Sequence, residues 1–277
     1  MATILDRIVD AKRLEVASRM AERSMEVIVA AAANAPRVRD FRAAITGPTP
    51  HGIHLIAEIK RKSPSAGLLV EDFDSVCIAQ AYYRAGASAI SVLTDEAYFG
   101  GSLAMLTEVR ASIRCPVLRK DFILEAYQVY EARAAGADAV LLIAEAIGVE
   151  KVASLLSVVE ALGMCALIEV HDVRNLWAVI QRVSALRTAH ILGINNRDLA
   201  VQRTDVLNTA RLAALLPEDV PFVSESGISS RQEVLSVQAA GARAILVGES
   251  LLRAESIEER IRDLLGEPLD QGQAGVK

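Results

Sequence analysis

Apolar residues gather into eight short runs along the chain, at 54–60, 87–94, 115–121, 137–144, 165–170, 190–196, 221–226 and 242–249. Most are near-continuous rather than alternating, the pattern of strands covered on both faces. Between them lie segments with helical spacing, among them 75–85, 103–113, 125–135 and 232–240. Three strand candidates follow the same tripeptide, Ala85-Gly86-Ala87, Ala135-Gly136-Ala137 and Ala240-Gly241-Ala242. A glycine there can take the left-handed backbone that stops a helix. One such tripeptide says little, but three in one register point to tandem units. Alternating strands and helices predict a parallel sheet with right-handed crossovers, and eight units close into a barrel. The rival, an open doubly wound sheet, normally carries a glycine-rich turn after its first strand. Here that strand runs into Arg61-Lys62-Ser63-Pro64-Ser65-Ala66-Gly67, which lacks the G-x-G-x-x-G spacing. The expected fold class is α/β, a single (β/α)8 TIM barrel over residues 51–265. Residues 1–50 read as a helical extension of that barrel, one or two helices ending near Pro36, Pro48 and Pro50. The polar tail 266–277 reads as disordered.

Composition narrows the core. Hydrophobic residues make up 52% of the 277 and aromatics only 4%, so Ala, Val, Leu and Ile must fill the interior. That apolar content excludes disorder across the whole chain. The formal charge of −5 gives no reason to expect nucleic acid or an anionic membrane as partner, while a local basic cluster can still take a small anionic substrate. Cys77, Cys115 and Cys165 are odd in number and lack paired metal-ligand spacing. Cys115 and Cys165 open apolar runs and read as small buried hydrophobes in a reduced compartment. The N-terminus lacks a secretory apolar run, and no segment reaches the ~18 apolar residues of a membrane span. A soluble, cytoplasmic protein is expected, with the choice between monomer and weak homodimer left open.

In such a barrel the chemistry sits where strands end at their C-terminal side. Strand one ends with Glu58 and Lys60, which share a face because they are two apart. Strand three ends Arg119-Lys120-Asp121, strand five with Glu169, and strand six Asn195-Asn196-Arg197. Charged residues at strand ends are commonly just solvated. Glu58 and Glu169, however, interrupt buried apolar runs, where an ionised carboxylate is costly unless paired. Two acids with Lys60 and Lys120 at one mouth form a cluster suited to acid–base work. Ser226-Gly227 and Gly248-Glu249 follow strands seven and eight, where barrels often bind phosphate through backbone N–H groups. Plain tight turns explain either pair alone equally well; both together favour phosphate.

At these residues the chain resembles the indole-3-glycerol-phosphate synthases. The resemblance is carried by Ile56-Ala57-Glu58-Ile59-Lys60-Arg61-Lys62-Ser63-Pro64-Ser65, Leu118-Arg119-Lys120-Asp121-Phe122-Ile123, Leu167-Ile168-Glu169-Val170-His171 and Gly193-Ile194-Asn195-Asn196-Arg197-Asp198-Leu199. Ser224-Glu225-Ser226-Gly227-Ile228 and Val247-Gly248-Glu249-Ser250-Leu251 extend it, as do the stretches around Thr94 and Phe99, in order from the N-terminal helix to about Arg253. It implies conversion of 1-(2-carboxyphenylamino)-1-deoxyribulose 5-phosphate to indole-3-glycerol phosphate, carbon dioxide and water, with neither metal nor organic cofactor. Lys120 matches the catalytic acid and Glu169 the base of dehydration. Lys60 matches a second acid or a partner of the substrate carboxylate, and Glu58 a residue that orients the lysines. Asn195, Arg197 and Ser226 match substrate-binding positions, and Phe99, Phe122 and Leu141 the wall behind the anthranilate ring. Ser63, Gly227, Gly248 and the backbone N–H of Glu249 match the phosphate site. Serine stands at the last position in some relatives, so the Glu249 carboxylate must point away from the anion. The resemblance further implies that the N-terminal helices help enclose the substrate. Other sugar-phosphate barrels, such as phosphoribosylanthranilate isomerase, call for a Cys/Asp or Asp/Asp pair, and a non-catalytic barrel would lack the acid–base set.

Overall fold

The structure, a computed structural model, describes residues 3–64, 66–183, 190–198 and 203–268. Eight strands, β1 (His54–Ile59), β2 (Ala89–Leu93), β3 (Val117–Lys120), β4 (Ala139–Ile143), β5 (Cys165–Val170), β6 (His190–Asn195), β7 (Phe222–Glu225) and β8 (Ala244–Val247), form a closed barrel. Every neighbouring pair is parallel, and β8 returns to β1 through Leu55↔Ile245 and its flanking pairs. The fold is thus the (β/α)8 barrel that the pattern predicts.

The tripeptide repeat explains the helix ends. In each case the glycine is left-handed, at φ +96° for Gly86, +91° for Gly136 and +99° for Gly241. The following alanine N–H reaches back to the helix, Ala87 to Tyr82 O at 3.0 Å, Ala137 to Ala132 O at 2.9 Å and Ala242 to Val237 O at 3.1 Å. These are Schellman caps. Gly163 makes a fourth, with Met164 N–H on Val159 O, although no Ala-Gly-Ala announces it. The cap occupies two residues after each glycine, so β2, β4 and β8 start two positions later than the apolar runs do. Between the strands run α4 (Ser75–Arg84), α6 (Leu103–Ser112), α7 (Ala126–Ala134), α9 (Val149–Ala161), α10 (Val173–Val183), α11 (Leu207–Ala213), α12 (Arg231–Ala239) and α14 (Ile257–Leu265). Short helices α5 (Glu96–Phe99), α8 (Ala144–Ile147) and α13 (Glu249–Leu252) sit directly after strand ends.

Alternation along the strands splits the core in two. Leu55, Ala57, Ile59, Val92, Leu142, Ile168 and Ile194 face the helices. Ile56, Ala89, Leu118, Leu141, Leu167, Ile191, Val223 and Leu246 fill the barrel. This placement has a consequence for the polar residues. Two positions further along, six of these columns continue to Glu58, Lys120, Glu169, Gly193, Glu225 and Gly248 and the other two to Ser91 and Ile143, so these residues form the top layer of the interior.

Residues preceding β1 form three helices where the sequence predicts one or two: α1 (Ile4–Glu22), α2 (Met25–Ala33) and α3 (Phe41–Thr46). The third is six residues long, too short to leave a periodic signal, and is started by Asp40, whose carboxylate accepts the Ala43 N–H at 2.8 Å. It plugs the bottom of the barrel with Phe41 and Ile45, both 1% exposed or less. At that end Asp138 accepts the N–H groups of Arg39 and Val117, each at 2.8 Å, and pairs with Arg110. At the other end α1 lays Ile4, Leu5 and Ile8 over the barrel mouth. The extension therefore runs from mouth to base. The loop expected after β1 contains a small antiparallel pairing of Lys62–Ser63 with Gly67–Leu68. Cys165 is buried as expected, Cys115 half-buried and Cys77 exposed, and all three are free thiols. Of the tail read as disordered, 269–277 lies outside the described residues, as do Ser65 and Leu199 of the motifs.

Candidate active site

Two adjoining cavities open at the mouth, of about 100 Å³ and about 290 Å³. Both are lined by Glu58, Lys60, Lys120, Arg197 and Ser226. The smaller is the apolar one, closed by Ile4, Leu5 and Ile8 above and by Phe99, Phe122 and Leu141 at the side. The Phe99 and Phe122 rings lie 6.2 Å apart at 35°. The larger is walled by Gly227, Gly248, Glu249, Ser229 and Arg253.

Between them the charged side chains form one network. The Lys120 ammonium donates to Glu225 Oε2 at 2.8 Å and to Glu169 Oε2 at 3.2 Å. Glu169 also accepts from the Asn195 amide at 2.8 Å, and Asn195 Oδ1 receives the Arg197 backbone N–H at 2.9 Å. Lys60 donates to Glu58 at 2.9 Å. Burial by itself would strip the proton from Lys120, but Glu225, Glu169 and Glu58 outweigh it and hold the lysine well above its ordinary range. Burial would raise Glu58; Lys60, Lys120 and Arg197 reverse that and keep it ionised. Glu225 behaves differently. Burial, with Glu169 and Glu58 nearby, pushes it up to about 7 in spite of Lys120. The site thus holds a cationic acid beside a carboxyl that burial makes easier to protonate than an exposed one.

The structure brings together Glu58, Lys60, Lys120, Glu169, Asn195, Arg197, Ser226, Phe99, Phe122 and Leu141 at the first cavity, and Gly227, Gly248 and Glu249 at the second. Ser63 stands apart. It lines neither cavity, and its hydroxyl accepts the Ala66 N–H at 3.1 Å inside the small hairpin. The Glu249 carboxylate is paired with Arg253, which donates to it at 3.1 Å, and both side chains belong to the wall of the second cavity. Gly227 is left-handed at φ +80°, and so is Ser226 at φ +69°, a conformation unfavourable for a serine. The Asn196 amide holds that turn through Ser226 O at 3.0 Å. Gly248 is required on other grounds. Its φ is ordinary, but a Cβ there would lie 2.8 Å from Glu58 Oε1.

Glu225 escaped the selection made on strand-end residues. The signal was weaker, since Glu225 ends the short run Phe222-Val223-Ser224 and is followed by Ser226 rather than by an apolar residue. Its place beside Ser226-Gly227 drew attention to phosphate instead. Glu145 was also passed over. It caps the turn after β5 by accepting the His171 N–H at 2.7 Å, and burial raises it to about 7. Among the described residues no cluster of His, Cys, Asp or Glu has the arrangement of a metal site. No helix of the described residues is long and apolar enough to cross a membrane.

Comparison with known proteins agrees with this arrangement. The family described as Indole-3-glycerol phosphate synthase matches residues 5–264. A protein of that name from a Roseiflexus species is 46% identical over 96% of this chain and 99% of its own. Those of Micrococcus luteus and Neisseria meningitidis are each 44% identical, covering 94% and 95% of this chain and 96% and 100% of theirs. Among solved structures, 3-hexulose-6-phosphate synthase from Salmonella typhimurium superposes with a TM-score of 0.61 at 13% identity, over 77% of this chain and 97% of that one. Thiamine phosphate pyrophosphorylase from Pyrococcus furiosus does so at 0.56 and 17%, over 78% and 95%. These two likenesses concern the fold alone. The sequence matches, spanning nearly the whole chain, place it in the indole-3-glycerol phosphate synthase family.

Proposed function

We propose that the chain converts 1-(2-carboxyphenylamino)-1-deoxyribulose 5-phosphate to indole-3-glycerol phosphate, with loss of carbon dioxide and water. It is a carboxy-lyase of tryptophan biosynthesis. The observation that carries the reading is the position of Lys120. Its ammonium lies between an apolar cavity shaped for a ring and a glycine-walled cavity suited to a phosphate, and two acids hold it charged.

The anthranilate ring packs against Phe99, Phe122 and Leu141 beneath α1, and the phosphate enters the second cavity at Gly227 and Gly248 and the backbone N–H of Glu249, with Ser63 approaching it from the loop after β1. Arg197 and Ser226 at the junction of the two cavities, with Asn195 in the first, orient the sugar chain. Lys120 then protonates the ketone oxygen as the ring carbon bearing the carboxylate attacks the carbonyl carbon. That carbon–carbon bond closes the five-membered ring. The bond to the carboxylate breaks, carbon dioxide departs, and its electron pair restores the aromatic ring. Glu169 takes a proton from the ring-closed intermediate while the hydroxyl leaves as water, protonated by Lys60. Glu58 holds Lys60 in place. Glu225 accepts from the Lys120 ammonium at 2.8 Å and holds it in place for the transfer. Exclusion of water beneath α1 strengthens each of these charge interactions.

The test is to add the deoxyribulose phosphate to purified protein and follow indole fluorescence. Lys120→Ala should lose about 10²–10⁴-fold in turnover, the usual worth of a positioned acid, while inorganic phosphate binds as before. Near-normal single-turnover ring closure in that variant would remove Lys120 from the role.

A further inference from the structure

The N-terminal extension reaches the site through one buried charge. Lys12, on α1, is 1% exposed. Its ammonium lies 2.8 Å from Asp95 Oδ2, 2.9 Å from Asp121 Oδ1 and 2.8 Å from Glu15 Oε2. Both partners on the barrel hold a wall of the ring cavity. Asp95 caps α5 by accepting the Tyr98 N–H at 2.7 Å, and α5 ends on Phe99. Asp121 accepts the Phe122 N–H at 2.8 Å through the oxygen that faces Lys12. Its other oxygen accepts the Thr94 hydroxyl at 2.6 Å and the Arg119 guanidinium at 2.9 Å.

Arg119 and Asp121 flank Lys120 in the chain. Side chains alternate along a strand, so the network grips the backbone on both sides of Lys120 while the lysine points into the barrel. Burial alone would lower the Lys12 pKa, yet Asp121, Asp95 and Glu15 keep it raised and the side chain charged. Without it, two carboxylates almost fully withdrawn from water would lose a cation, which is strongly unfavourable. One turn earlier on the same helix face, Ile8 enters the ring cavity. Closure by α1 and the placement of the cavity walls are therefore parts of one contact.

We propose that Lys12 is a positioning residue for the reaction, fixing Phe99, Phe122 and, through Asp121, Lys120 in the arrangement that ring closure needs. The proposal rests on the synthase reading of the site. Two variants test it. Lys12→Met keeps the length and removes the charge; Asp95→Asn weakens the same pair from the barrel side and keeps the helix cap. For each, kcat and KM are measured below the thermal transition. Calorimetry follows inorganic phosphate and a non-reacting substrate analogue whose ketone is reduced to an alcohol.

Lys12→Met should lose about 10–100-fold in kcat/KM, the scale of misplacing a catalytic group. It should weaken the analogue while leaving phosphate affinity within about twofold. Asp95→Asn should shift in the same direction by less. The double variant should lose less than the product of the two, because both changes break one interaction. Equal weakening of phosphate and analogue, or kcat/KM within about twofold of the parent, overturns the proposal. Should Lys12→Met not fold, the same division in Asp95→Asn decides. Failure of the parent protein to form indole would instead refute the synthase reading, and the analogue and phosphate titrations would still separate the two ideas.

Discussion

Replacing Gly193 by alanine adds one methyl group at the point where the barrel interior is most crowded. That carbon would lie 2.1 Å from Glu225 Oε1 and 3.2 Å from both Glu225 Cδ and Leu167 Cδ1. The carboxylate must move by roughly an ångström to restore van der Waals contact, and doing so breaks its 2.8 Å bond to Lys120. A hydrogen bond between charged groups is worth about 1.5–3 kcal/mol, and overpacking a core costs about 1–3 kcal/mol. Against these stands about 0.4–1 kcal/mol gained because alanine restricts the unfolded chain. The net expectation is a destabilisation of about 2–4 kcal/mol. Turnover should fall about 100-fold as Lys120 loses one of its two anchors. Urea unfolding read alongside kcat/KM measures both. The decisive control is the Glu225→Ala background, where the methyl meets no carboxylate and should add less than about 0.5 kcal/mol. If Gly193→Ala costs the same in both backgrounds, or unfolds at the parent midpoint with full activity, the glycine is not there for Glu225.

Two further outcomes follow from the geometry at the mouth. Burial raises Glu145 to about 7, against the His171 amide that bonds it and with Glu169 and Asp172 adding to the shift, whereas an unfolded glutamate titrates near 4.5. The folded form therefore keeps a proton that the unfolded chain has shed between those values, so stability present below pH 4.5 is lost as pH rises through 7. Glu145→Gln should remove about 2–3 kcal/mol of that decline between pH 5 and pH 8 in denaturant titrations, and parallel curves for variant and parent would reject the assignment. Gly248→Ala should weaken inorganic phosphate about tenfold, on the scale of one lost hydrogen bond. Because the methyl also crowds Glu58, turnover at saturating substrate should fall too, and unaltered phosphate affinity would place the anion elsewhere.

The architecture was legible because its signals are local. Eight apolar runs and three identical helix stops require no knowledge of what packs on what. Glu58 and Glu169 were legible on one further argument, the cost of burying an unpaired carboxylate. Ser63, read into the phosphate site from the family motif, lies in a hairpin that forms between Lys62–Ser63 and Gly67–Leu68 and that the pattern does not announce. No period-two run marks strands of two residues. Lys12 was illegible for a different reason. On an amphipathic surface helix a lysine is ordinarily a solvated residue, and its partners Asp95 and Asp121 are more than eighty positions away. Arg253 shares that difficulty, since only the structure shows that it pairs with Glu249 at the second cavity.

The interior of the barrel shows why the reactive layer must be at its end. Lower down, the inward positions are Ala89, Ala139, Ala244, Ile191 and Val223, small or branched side chains that fill the tapering space without polar atoms. At the top of the barrel four of the eight columns end in a charged group, Glu58, Lys120, Glu169 and Glu225, which Lys60 and Arg197 from the loops and the Asn195 amide at the end of β6 help to satisfy. Such a layer placed in the middle of the barrel would have no access to those loop cations and would be prohibitively costly. Even at the mouth the compensation is incomplete. Among the described residues Glu225 Oε1 has no hydrogen-bond partner, and burial of this carboxyl raises its pKa. The left-handed Ser226 is one residue further on. Unsatisfied charge and backbone strain are thus concentrated at two adjacent residues, beside the lysine proposed as the acid. This is where a fold gives up stability for a group poised to react.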